Sequence, residues 1–128
     1  MFLWRYLLAL AIMTAFDLVW LGVVAKKFYQ TYLGPRRLDR PKIIPAVIFY
    51  LIYGLAVVVL VLDPALATNN WRGLIARAAL LGLAAYAAYD LSNLATLKKW
   101  STKLAVVDMV WGACLTIAAS SLVFWIFK

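Results

Sequence analysis

The sequence predicts an all-α protein, a bundle of four transmembrane helices. Three observations carry this. Hydrophobic residues make up 67% of the chain and charged residues 14%, where a soluble domain is about half apolar and a quarter charged. The mean hydropathy is +0.92. The apolar residues fall into four runs, each of the roughly 20 residues that a helix needs to cross a bilayer, with short connections between them.

The first span covers about 3–25. It holds an aspartate late in the apolar run and lacks a small-x-small cleavage site, so it reads as a retained span and not a signal peptide. Gly34-Pro35 and Arg40-Pro41 break any helix in the loop that follows. The second span, about 42–62, is closed by the turn signal Asp63-Pro64. Pro45, just past its first turn, predicts a kink and a freed carbonyl. The third span, about 73–97, carries the small residues Ala79, Gly82 and Ala85, and the fourth, about 104–126, carries Gly112 and Ala113. Small residues let membrane helices approach closely. Apolar side chains surround every span, so length and not periodicity defines them. The whole chain, 1–128, reads as a single integral membrane domain.

The formal net charge is +8, and its placement sets orientation. Lys26, Lys27, Arg36, Arg37, Arg40 and Lys42 lie in the first loop, and Lys98, Lys99 and Lys103 lie between spans three and four. The opposite side has Arg5, Arg72, Arg77 and Lys128. The positive-inside rule makes both basic loops cytoplasmic and puts both termini outside. Trp4, Trp71 and Trp125 then anchor the outer interface, with Phe28, Tyr29, Tyr32 and Trp100 at the inner one. Cations clustered between apolar runs answer to membrane topology, and nucleic acid is excluded as a partner. Membrane lipids are the expected partners; the first loop reads foremost as a topology determinant with interfacial anchors, and secondly as a contact for a partner or for anionic heads, at about 1 kcal/mol per cation. Other membrane subunits or a second copy of the chain are the further candidates.

An internal repeat links the two halves. "TAFDLVWLGVVAKKF" (14–28) aligns with "AAYDLSNLATLKKW" (87–100), matching Asp17 to Asp90 and Lys26-Lys27-Phe28 to Lys98-Lys99-Trp100. Both run outside to inside, so the chain reads as two tandem helical hairpins, a parallel repeat.

The chain has no histidine and one cysteine, Cys114. Cys/His zinc sites, histidine-ligated haem and imidazole-dependent triads are thereby excluded, and no metal or cofactor is expected. Cys114 reads as a small packing residue.

Three of the five acidic residues lie inside spans. Asp39 and Asp63 fall in loops or at span ends, where they cap helices. At 1.5 Å rise per residue, Asp17 is about 13 Å from Lys26, Asp90 about 12 Å from Lys98, Asp108 about 8 Å from Lys103, and Tyr50 about 12 Å from Lys42. Four spans thus place a polar group at similar depth in the cytoplasmic half. Helical spacing adds Asn93 and Tyr86 to the face of Asp90, Trp20 to that of Asp17, Trp111 to that of Asp108, and Tyr53 to that of Tyr50. A carboxylate facing lipid costs roughly 2.5–3.5 kcal/mol on insertion scales, so these faces turn inward and find partners. The candidate ligand-binding set is Asp17, Asp90, Asp108, Asn93, Tyr50, Tyr53, Trp20 and Trp111. The competing reading makes the same groups hydrogen-bonded glue between helices, worth about 0.6 kcal/mol per contact.

The segments "FDLVWLGVVAKKFYQTYLG" (16–34), "PAVIFYLIYG" (45–54), "YDLSNLATLKKW" (89–100) and "VDMVWG" (107–112) resemble, in that order, a family of small bacterial integral membrane proteins designated domain of unknown function 2177. The resemblance implies four transmembrane helices in a bacterial inner membrane and transfers no activity. Three functions compete. The first is a buried polar site that binds or transports a proton, a cation or an amphiphile. The second is a structural or accessory subunit of a larger membrane complex. The third, a lipid-active membrane enzyme using an Asp pair as acid and base, ranks last because no nucleophile or metal set accompanies the pair.

Overall fold

The computed structural model describes residues 2–24, 43–98 and 100–128. Among them, four helices are long and apolar enough to cross a membrane: α1 (Phe2–Val23), α2 (Ile44–Thr68), α3 (Trp71–Thr96) and α4 (Thr102–Phe127). No strand occurs among the described residues. The first-loop cations, Asp39, Phe28, Tyr29, Tyr32 and Lys99 lie outside them, and with them the Lys26-Lys27-Phe28 end on which the expected repeat partly rests.

The largest departure from the sequence reading is in α2. Its α-helical part runs unbroken through Pro45, from Ile43 to Val57. A π-helical turn follows at Val58–Leu62, with the Asp63 amide donating to the Val58 carbonyl. The helix then resumes over Asp63–Thr68 with Pro64 in its first turn. Pro64 has no N–H and its ring crowds the carbonyl one turn back. Widening the helix by one residue just before the proline relieves both problems without ending the span. Asp63-Pro64 is therefore not a stop. The stop comes at Asn69, in the left-handed region at φ 50°, whose amide reaches the Ala65 and Leu66 carbonyls; Asn tolerates that conformation better than most residues. The Asn70 side chain then caps α3 by accepting the Gly73 N–H at 3.0 Å, and Ser101 caps α4 through Leu104 at 3.1 Å.

α3 and α4 form the closest pair. A Cβ on Gly82 would meet the Gly112 carbonyl oxygen, and one on Gly112 would meet the Tyr86 ring, so a larger residue at either place makes a neighbour shift. α1 packs on α4 and α2, while α2 reaches α3 mostly over the Val58–Leu62 turn and the Asp63–Thr68 segment after it. The apolar core fills one half of the bundle. It takes Ala9 and Met13 from α1, Val58 and Val61 from α2, Leu74 and Ala78 from α3, and Val123 and Phe124 from α4.

That half ends in aromatic and ionic contacts. The Arg5 guanidinium pairs with Asp63 at 3.0 Å and lies 5.9 Å from the Phe127 ring. Asp63 thus serves as an ion-pair partner, and its side chain does not cap a helix. Trp71 meets Trp125 edge-on at 5.8 Å and donates to Ser121 Oγ at 3.0 Å. Both termini and the α2–α3 turn consequently share one end of the bundle. Cys114, expected in the packing, is exposed on the bundle's outside. An apolar residue in a span faces lipid as readily as protein, because the bilayer removes the need to bury it.

Candidate functional site

The opposite half of the bundle has polar groups where the apolar core would continue. Asp17, on α1, is 7% exposed. Its Oδ1 accepts the Trp111 indole N–H at 2.7 Å, and its Oδ2 accepts the Tyr50 hydroxyl. One carboxyl group thus ties α1 to α2 and α4. A π-helical turn begins three residues later, at Trp20–Val24, and there Trp20 stacks on Trp111 with ring centroids 4.4 Å apart and planes within 6°. Such turns recur at functional sites because they re-aim side chains a regular helix would point elsewhere.

Tyr53, one turn beyond Tyr50, sits deeper. Its hydroxyl is 2.7 Å from Thr116 Oγ1, and Thr116 gives its own proton to the Gly112 carbonyl at 2.8 Å. A hydroxyl carries one proton, so Tyr53 is the donor in the first bond. Thr116 is absent from the set read off the sequence, since a lone threonine in an apolar run gives no signal. The Tyr53 ring stacks on Phe49 at 5.3 Å and meets Tyr86 edge-on at 6.3 Å.

Asp90, on α3, is 1% exposed, and neither carboxyl oxygen has a hydrogen-bond partner. The donors expected from its own helix, Asn93 and Tyr86, do not supply one; Asn93 faces Tyr89 instead. The charged neighbour of Asp90 is Asp108, on α4. Two carboxylates side by side in an apolar bundle repel unless a proton or another cation lies between them.

Between these groups lies a cavity of about 310 Å³. α1 contributes Asp17, Trp20 and Leu21, and α2 contributes Phe49 and Tyr50. α3 adds Tyr86 and Tyr89, and α4 adds Asp108 and Trp111. Five members of the sequence-derived set therefore line one space: Asp17, Asp108, Tyr50, Trp20 and Trp111. Tyr53, Asp90 and Asn93 do not line it. Leu21, Phe49, Tyr86 and Tyr89 join it, and three of these sit next to a residue of that set in the chain, one helical step round. Depth is readable from sequence; rotation about the helix axis is not. The rim is open, with Leu21 41%, Phe49 42% and Tyr89 57% exposed.

Among the described residues, none that lines the cavity is Ser, Thr, Cys or Lys. Carboxylates and aromatic faces both attract positive charge. A wider cavity of about 680 Å³ lies at the other end, around Arg5, Asp63, Asn69 and Lys128. It shares no residue with the aspartate site.

Residues 2–125 match the family described as "Predicted membrane protein (DUF2177)". Among curated proteins and solved structures, none matches the chain.

Proposed function

We propose that this chain, which belongs to the DUF2177 family of membrane proteins, binds a positively charged ligand within the bilayer, in the cavity between Asp17 and Asp108. One observation carries the reading: all four helices converge on a space walled by two carboxylates and six aromatic rings. Asp17 closes on Tyr50 and Trp111 as helix-to-helix glue does, but glue alone needs no such space. Binding is the step that a carrier and a sensor have in common, and it is the part of the function the geometry supports.

The cavity lies toward the ends of α1 and α3 and the beginnings of α2 and α4, the ends joined by the basic loops. On the positive-inside rule this is the cytoplasmic half, and the family resemblance points to a bacterial inner membrane.

The test is a binding titration of the full chain in lipid nanodiscs with small organic and inorganic cations, following tryptophan fluorescence from Trp20 and Trp111. Asp17→Asn combined with Asp108→Asn keeps side-chain shape and removes the charge. The double variant is expected to weaken binding by about tenfold or more, the scale of one charge-assisted contact at about 1.5–3 kcal/mol. Unchanged binding in that variant, or no cation response in the native chain, would count against the reading.

A further inference from the structure

We infer that the cavity selects an N-alkylated ammonium head, one with no N–H to donate, over a protonated amine or an inorganic cation. This deepens the proposed function and rests on it. The inference follows from what the walls can and cannot accept. A hard divalent ion such as calcium gathers six to eight oxygens, and among the described residues no three Asp or Cys side chains come together to hold a metal. A primary ammonium brings three N–H donors, each costly to strip of water unless an acceptor meets it. The cavity's acceptors are the carboxylates of Asp17 and Asp108 and three tyrosine hydroxyls, and both carboxylates already have neighbours, Asp108 lying against Asp90. Both oxygens of Asp17 already receive a hydrogen bond, from Trp111 at 2.7 Å and from Tyr50. Indole nitrogen only donates, and Phe49 and Leu21 offer no polar atom.

What the walls do supply is ring surface, from Trp20, Phe49, Tyr50, Tyr86, Tyr89 and Trp111. A trimethylammonium group spreads its charge over methyl hydrogens, needs no acceptor, and is the cation that aromatic cages recognise. Asp17 and Asp108 then act as counter-charges at a distance. The volume, about 310 Å³, is at the small end of ligand sites, roughly 300–1,000 Å³, which suits a compact head group. The route in is lateral. α2 and α3 meet mostly over Val58–Thr68, away from the cavity, and at the cavity their rim residues Phe49 and Tyr89 are 42% and 57% exposed. An apolar tail can stay in the bilayer while its head sits between the carboxylates.

The experiment compares hexyltrimethylammonium with hexylammonium, the same tail on two heads, against the full chain in phosphatidylglycerol nanodiscs, with potassium and magnesium as further titrants. The trimethyl compound is expected to bind about tenfold tighter than the primary amine. Phe49→Leu removes a ring that makes no hydrogen bond and should weaken hexyltrimethylammonium more than hexylammonium, narrowing that preference. Tyr89→Leu, at the more exposed rim position, is the second variant should the first fold poorly. Equal or tighter binding of hexylammonium, or an undiminished preference in both variants, overturns the inference while leaving cation binding standing. Failure of every cation to bind overturns both. Repeating the titration in phosphatidylcholine nanodiscs separates the sources of such a head. A weakened response to hexyltrimethylammonium there assigns the site to a lipid headgroup, and an unchanged one assigns it to a free cation; either agrees with the inference.

Discussion

At Asp17 one carboxyl group receives the Trp111 indole N–H and the Tyr50 hydroxyl, so three helices meet on two oxygens. Asp17→Ala leaves both donors without a partner in an apolar setting. The expected loss is about 1–2 kcal/mol, at or above the upper range for polar contacts between membrane helices. Asp17→Asn keeps one acceptor and should lose less, while cation binding falls in both. Unfolding in mixed micelles, read beside the binding titration, separates the two effects. Thr116→Val makes the complementary case. It strands the Tyr53 hydroxyl at a cost of about 0.6–1.7 kcal/mol, yet Tyr53 and Thr116 lie off the cavity wall, so binding should be unchanged. A matching loss of binding in Thr116→Val would mean that stability and not the site governs the readout. The sequence indicates the depth of these residues because helix rise is fixed at 1.5 Å per residue. It does not indicate which of Phe49, Tyr50 and Tyr53 faces the cavity, or that Asp90 would lie behind Asp108 with no donor, because those depend on how each helix is turned about its axis.

Among elements, the α3–α4 pair holds the polar half in place. Gly82 sits against the Gly112 carbonyl, and Gly112 against the Tyr86 ring. A methyl at Gly82 meets backbone, which cannot turn aside, and a methyl at Gly112 meets a side chain, which can. Gly82→Ala should therefore destabilise more than Gly112→Ala, both within about 1–3 kcal/mol. Gly112→Ala should also weaken cation binding, because the ring it displaces is a cavity wall. Thermal unfolding of the two variants, with one titration each, checks the order. The small residues of these spans are legible as packing positions. The π-helical turns are not. At Asp63-Pro64 the local signal says stop, and the helix answers by widening over Val58–Leu62 and continuing to Thr68. At Trp20–Val24 no proline or glycine pair announces the turn that brings Trp20 onto Trp111. That second turn goes with the partner Trp20 gains across the bundle, which a single strand of sequence does not contain.

For the whole molecule, four apolar runs of spanning length are enough to give the number of helices, since the bilayer dictates that length. The contacts of Arg5 with Asp63 and of Trp71 with Trp125 bring the termini and the α2–α3 turn to one end. Which end faces the cytoplasm follows from charge alone, and labelling tests it. With Cys114, exposed on the bundle surface, replaced by serine, a cysteine at Asn69 should react with an impermeant maleimide on intact cells. One at Lys98 should react only after the membrane is opened. The reverse pattern would turn the molecule over and place the aspartate cavity in the outer half.

On the proposed function, the division between apolar packing at the termini and a ring-lined cavity with two carboxyl groups at the other end serves a ligand. Native mass spectrometry of the full chain, released gently from its own membranes, is the direct test. The expected result is a monomer or homodimer carrying a cationic small molecule or lipid in whole-number ratio, and losing it when Asp17 and Asp108 are both changed to asparagine. A fixed-ratio complex with other polypeptides and no bound cation would contradict the cation site. It would make the chain an accessory subunit whose aspartates join helix to helix.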